Sequence, residues 1–138
     1  MNILFVYFDK IIQNDNLYVK SLCEEIRRQN GSVECSIDAF WNSTRKYDIV
    51  HIQFPEVIFK WRQPSDNGLK ALRQRIDRLK SMGTKIVYTR HDAIPHYCTD
   101  KNKLELYRIV ETQSNAIIHL GEYSRQEFAR IYPEKIGR

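Results

Sequence analysis

Short apolar runs that recur along the chain, separated by stretches with helical spacing, constrain this sequence more than any single residue in it. Asn2 to Phe8 (NILFVYF) and Asp48 to Phe54 (DIVHIQF) are nearly continuous and rich in β-formers. That is the pattern of strands buried on both faces. Lys85 to Thr89 (KIVYT) and Ala116 to Leu120 (AIIHL) repeat it further on, while Val33, Cys35 and Ile37 alternate with polar residues. The alternation predicts a half-buried edge strand. Strands interleaved with helices in this way fold as an α/β open sheet with right-handed crossovers.

The helical stretches carry their own punctuation. Asn14 or Asp15 can cap a first helix, whose Val19, Leu22, Cys23 and Ile26 recur at i, i+3, i+4, i+7 before Gly31. Ser65 or Asp66 caps a second, with the stripe Leu69, Leu72, Ile76 and Leu79 and a stop at Gly83. Leu104, Leu106, Tyr107, Ile109 and Val110 mark a third. Ser124-Arg125-Gln126-Glu127 reads as a capping box opening a last helix that Pro133 ends. About ten residues separate the second strand from the third, too few for an ordinary helical crossover. A short helical turn around Trp41 to Lys46 would make the passage if the first strand lay between them. The expected strand order is therefore 2-1-3-4-5, an open, mostly parallel Rossmann-like sheet of about five strands with helices on both faces.

A chain of 138 residues gives one domain, 1–138, large enough to bury about 68% of its unfolded surface. No segment approaches the roughly 20 apolar residues of a membrane span, and Ile3 to Phe8 is too short for a signal peptide. The reading is a cytoplasmic chain, with Asn42-Ser43-Thr44 unglycosylated. Its three cysteines, Cys23, Cys35 and Cys98, form no CxxC pair and read as reduced thiols.

The net charge of +5 is unevenly placed. Between Lys60 and Arg90 nine cations face only Asp66 and Asp77, a local excess of +7. On the second helix the apolar stripe must face the sheet, so Arg73, Arg75, Arg78 and Lys80 are expected to face solvent as an anion-binding or membrane-surface patch. Each exposed cation near an anionic leaflet is worth about 1 kcal/mol. The helix interleaves no exposed aromatics among these cations, which argues against stacking on single-stranded nucleic acid.

In open α/β sheets ligands bind beyond the carboxyl ends of the strands, where the order reverses. Here those positions are Asp9 to Asn16, Gln53 to Glu56, Arg90 to His96 and Gly121 to Arg125. The substrate-binding candidates among them are Asp9, Asn14, Asp15, Asn16, Gln53, Glu56, Tyr123, Ser124 and Arg125. The first loop has no glycine, so a dinucleotide fingerprint fails, and no Walker loop is present. A receiver-type phosphoacceptor Asp is replaced by Gln53 at the end of the third strand. His91, Asp92, His96 and Cys98 match no metal-ligand spacing, and no metal is expected. His91 and Asp92 leave a buried strand into a loop held by Pro95, where a histidine can move a proton near neutral pH. His51 and His119 lie within strands and read as hydrogen-bonded core histidines. Ser124 reads as an N-cap that exposes the amides of Tyr123 to Gln126 to an anion.

Three stretches carry a family likeness. Tyr47-Asp48-Ile49-Val50-His51-Ile52-Gln53-Phe54-Pro55-Glu56 resembles the YDIVHIHWPE strand of bacterial family 4 glycosyltransferases of the GT-B fold. Ile86 to Asp92 resembles their VVxTxHD strand and loop, and Asn115 to Arg125 resembles ADAIIxxSEYSR, in the same order and spacing. The resemblance implies an enzyme that transfers a sugar from a nucleotide-sugar donor to a polysaccharide or lipid-linked acceptor. It aligns this chain with the N-terminal, acceptor-side domain alone, places His91 at the donor sugar with Asp92 beside it, and implies a C-terminal nucleotide-sugar domain as partner. The expectation is then a chain inactive by itself, with no cofactor of its own, peripheral at the inner membrane surface. The rival expectation is a standalone module that binds an anionic membrane or nucleic acid through Lys60 to Arg90.

Overall fold

The fold is given by a computed structural model, which describes residues 1–8, 17–29, 31–91 and 100–135. Five strands form one sheet: β1 (Asn2–Phe5), β2 (Ser32–Cys35), β3 (Ile49–Ile52), β4 (Lys85–Arg90) and β5 (Ala116–His119). Their order is β2-β1-β3-β4-β5, and every neighbouring pair is parallel. Among the described residues four α-helices connect them, α1 (Leu17–Arg28), α2 (Ile37–Asn42), α3 (Asp66–Ser81) and α4 (Lys101–Gln113), and α5 (Glu122–Ile131) follows β5. The α/β class and the strand order expected from the sequence are both observed.

Alternation along β1 sorts the core into two layers. Ile3, Phe5 and Tyr7 point to one face, where Val19 and Cys23 of α1 cover them. Leu4 and Val6 point to the other, packed with Val50, Ile52, Ile86 and Tyr88 beneath α3 and α4. The α3 stripe is as expected: Leu69, Leu72, Ile76 and Leu79 are all buried. Ser65 caps that helix by accepting from the Gly68 amide at 3.0 Å. Gly83 follows its end at φ +88°, a left-handed conformation that glycine adopts without a Cβ penalty. On the α1 side cover thins toward β5, where Ile118 remains 46% exposed.

Several local expectations are corrected. Ile37 does not extend β2. It opens α2, buried, because Ser36 turns the chain and its Oγ accepts from the Ala39 amide at 2.9 Å. The short passage helix thus starts four residues before Trp41 and ends at Asn42, only overlapping the expected Trp41 to Lys46. Pro55 starts a 3₁₀ turn over Pro55–Phe59, directly after the run that holds β3. Leu104 is 41% exposed, since the buried face of α4 runs through Leu106, Tyr107, Ile109 and Val110. Asp100 caps α4, accepting from the amides of Asn102 and Lys103. Ser124 is not an N-cap. Gly121 holds that position, and Ser124 lies inside the first turn of α5 with its hydroxyl turned to Arg90 and His119. The expected cap of α1 at Asn14 or Asp15 lies outside the described residues.

Among the described residues no helix is long and apolar enough to cross a membrane.

Candidate functional site

The carboxyl ends of β3 and β4 hold the centre of the site. Gln53, wholly buried, directs its Nε2 to Nε2 of His91 at 2.5 Å. Its other amide atom, Oε1, is buried without a hydrogen-bond partner among the described residues. The His91 ring stacks on Phe54 (centroids 4.8 Å apart, 22° between planes) and meets the edge of Tyr18 from α1 at 5.9 Å. The imidazole is therefore oriented by one amide and two aromatic rings.

One layer beneath, His51 joins Nε2 to Thr89 Oγ1 at 2.8 Å. Burial, reinforced by the nearby His91, pushes His51 from its usual 6.5 down to about 4. It is the hydrogen-bonded core histidine that its place in a strand suggests. His119 is only half-buried. Its Nδ1 lies 3.0 Å from Ser124 Oγ, and its Nε2 is buried without a partner among the described residues. Burial, with Arg90 nearby, lowers its pKa as well.

Arg90, the last cation of the basic stretch in sequence, is no surface cation. Its guanidinium is buried and donates through Nε to Glu111 at 3.1 Å, through Nη2 to Glu127 at 3.2 Å, and through Nη1 to the carbonyl and hydroxyl of Ser124, each at 3.1 Å. Burial opposes its charge, but Glu111 and Glu127 outweigh that and hold its pKa above the ordinary value. Glu111 is pushed up by burial and only partly drawn back by Arg90. Two carboxylates against one cation make a strongly coupled, almost water-free cluster. A sequence signal for it exists: Glu111 continues the buried spacing Tyr107, Val110, Glu111, and a carboxylate there requires a buried cation.

The other predicted positions are scattered around this centre. Glu56, in the 3₁₀ turn after β3, accepts from the Tyr107 hydroxyl at 2.5 Å. Tyr123 is 79% exposed on the first turn of α5, and Arg125 there pairs with Glu122 at 2.7 Å. Asp9, Asn14, Asp15, Asn16 and Asp92 lie outside the described residues, as do His96 and Cys98. Among the described residues no three His, Cys, Asp or Glu side chains gather as metal ligands do.

The basic patch is largely engaged within the fold. Arg75 is half-buried, not solvent-facing as expected: it donates to the carbonyls of Phe40 and, at 2.8 Å, Ser43, closing the end of α2. Burial, with Arg78 nearby, lowers its pKa. Arg73 and Arg78 are exposed as expected, Arg73 pairing with Glu105 at 2.5 Å, and Lys80 is half-buried.

Two features were not anticipated from sequence. Lys60 and Trp61 both have positive φ, 55° and 64°, a conformation rare for residues with a Cβ and found where local strain is held by function or packing. Trp61 is 54% exposed beside Phe54, with centroids 6.1 Å apart. A groove of about 340 Å³ runs between α2 and the 3₁₀ turn, past Asp38, Trp41, Asn42, Lys60 and Arg62.

No protein-family model, curated protein or solved structure matches the chain.

Proposed function

We propose that this chain is the acceptor-side domain of a glycosyltransferase that moves a sugar from a nucleotide-sugar donor to a polysaccharide or lipid-linked acceptor. One observation carries the reading. The three stretches that resemble family 4 glycosyltransferases interlock through side chains: Gln53 of the first touches His91 of the second, and Arg90 of the second donates to Ser124 of the third. Residues distant in sequence thus form one continuous rim at the strand ends, the region where such sheets bind ligands.

In this reading His91 faces the donor sugar, oriented by Gln53 and Phe54, and moves a proton or donates a hydrogen bond there. Charge on a departing diphosphate needs donors fixed on both sides of a cleft, so the second side belongs to a nucleotide-sugar domain. The rival reading, an anion-binding surface on α3, draws less support. Arg75 is spent on α2 carbonyls and Arg73 on Glu105.

The test is sugar transfer by the full-length gene product, supplied with a panel of nucleotide sugars and lipid or polysaccharide acceptors. His91→Ala is expected to lower turnover by about 10²-fold or more while the protein stays folded. Unchanged turnover in that variant would overturn the role given to His91. Transfer by the purified 138-residue chain alone would overturn the need for a second domain.

A further inference from the structure

Cys23 and Cys35 are far apart in any sequence motif, yet their sulfurs lie 3.6 Å apart. Cys23 sits midway along α1, wholly buried, and Cys35 is the last residue of the edge strand β2, half-buried. A disulfide needs sulfurs about 2.05 Å apart, so the pair must close by roughly 1.5 Å, within reach of side-chain rotation and a small shift of the helix. We propose that Cys23 and Cys35 are a reversible dithiol–disulfide site, oxidised by exchange with a small-molecule disulfide.

The two thiols are unequal, which gives the exchange its order. The hydrogen bond from Cys23 holds Cys35 below the usual thiol range, against the effect of burial, and Arg27 nearby adds to the lowering. The same hydrogen bond and burial hold Cys23 well above that range. Cys35 is also the more accessible, at the sheet edge. Its thiolate attacks one sulfur of the small disulfide, the S–S bond breaks, and one small thiolate leaves. Cys23 then gives its proton to solvent and its sulfur attacks Cys35 Sγ, expelling the second small thiolate. The protein loses two electrons and two protons, and one small disulfide becomes two small thiols. The bond ties α1 to β2 five residues after Tyr18, the α1 residue whose ring meets His91.

The experiment uses the full chain and a Cys98→Ser variant, checked for folding by circular dichroism. Each is equilibrated in glutathione buffers of rising oxidised fraction and then quenched with an alkylating reagent. Intact mass and peptide mapping give the thiol count and the linkage. The expected result is concerted loss of two thiols, leaving only Cys98 alkylated in the natural chain, with Cys23 joined to Cys35 and full reversal by dithiothreitol. In Cys23→Ser the reaction should stop as a glutathione adduct on Cys35. The proposal is overturned if both thiols of the folded chain stay alkylatable in oxidised glutathione. It is equally overturned if the adduct on Cys35 persists with Cys23 present, or if the bridge forms between chains.

Discussion

Gln53 and His91 meet nitrogen to nitrogen at 2.5 Å, from the ends of two adjacent parallel strands. An amide nitrogen can only donate, so in this contact the ring nitrogen Nε2 is the acceptor. The amide oxygen has no hydrogen-bond partner among the described residues. Leucine at this position removes the amide, that oxygen included, and takes one donor from the half-buried His91 ring, a net loss of about 0.5–1.5 kcal/mol for one hydrogen bond. Gln53→Leu is therefore expected to cost about 1 kcal/mol and to change the setting of the His91 ring, which Phe54 and Tyr18 still contact. Urea denaturation checks the first part and ring-proton NMR the second. A large loss of stability would show the amide to be structural.

Arg90→Met leaves the buried Glu111 and the half-buried Glu127 without their cation. Breaking one member of a buried ion pair costs about 3–5 kcal/mol, and that loss is expected in urea unfolding. Adding Glu111→Gln and Glu127→Gln to Arg90→Met should recover part of it. A loss below about 1 kcal/mol for the single change, the size of an exposed pair, would mean that the cluster is solvated in solution.

Two cations three residues apart on α3 should behave differently. Arg75→Ala deprives the carbonyls of Phe40 and Ser43 of a charged donor. Hydrogen bonds of that type are worth about 1.5–3 kcal/mol. Arg78 is exposed, and its replacement by alanine should stay within about 0.5 kcal/mol. Equal effects in thermal unfolding would contradict the difference in burial.

Acid should loosen the fold through His51. The unfolded histidine binds its proton near 6.5, whereas the buried ring does so only near 4. Between those values unfolding takes up a proton. The stabilisation is thus complete above about pH 6.5 and fades as the pH falls toward 4, by about 3 kcal/mol in total. His119, also lowered, adds in the same direction. His51→Gln should flatten the pH dependence of the denaturation midpoint across this window. A profile as steep as the parent's would move the effect elsewhere.

The architecture was legible because it is written in periodicity. The apolar runs gave four strands, the α3 stripe gave the clearest helix, and the short passage from β2 to β3 fixed the strand order. Boundaries were less legible where polar side chains compete for the backbone. Ser36 ended β2 two residues early, and the Ser124–Glu127 pair imitated a cap while its members were engaged with Arg90. The site was legible only as positions. Gln53, Glu56, Tyr123, Ser124 and Arg125 fall near the strand ends as expected, but which of them touch His91 depends on side-chain reach across strands. Charge counting failed in the same way at Arg75 and Arg90, because a tally of cations cannot distinguish a guanidinium in water from one facing carbonyls or carboxylates.

The strand order also bears on how the chain can assemble during synthesis, when N-terminal segments emerge first. After β1, each strand joins an open edge: β2 on one side, then β3, β4 and β5 in turn on the other. None has to be threaded between two strands already paired. The growing sheet can keep what it has formed at every stage: from β3 on, each strand to leave the ribosome covers the edge left by the one before it, while the outer edge of β2 stays bare.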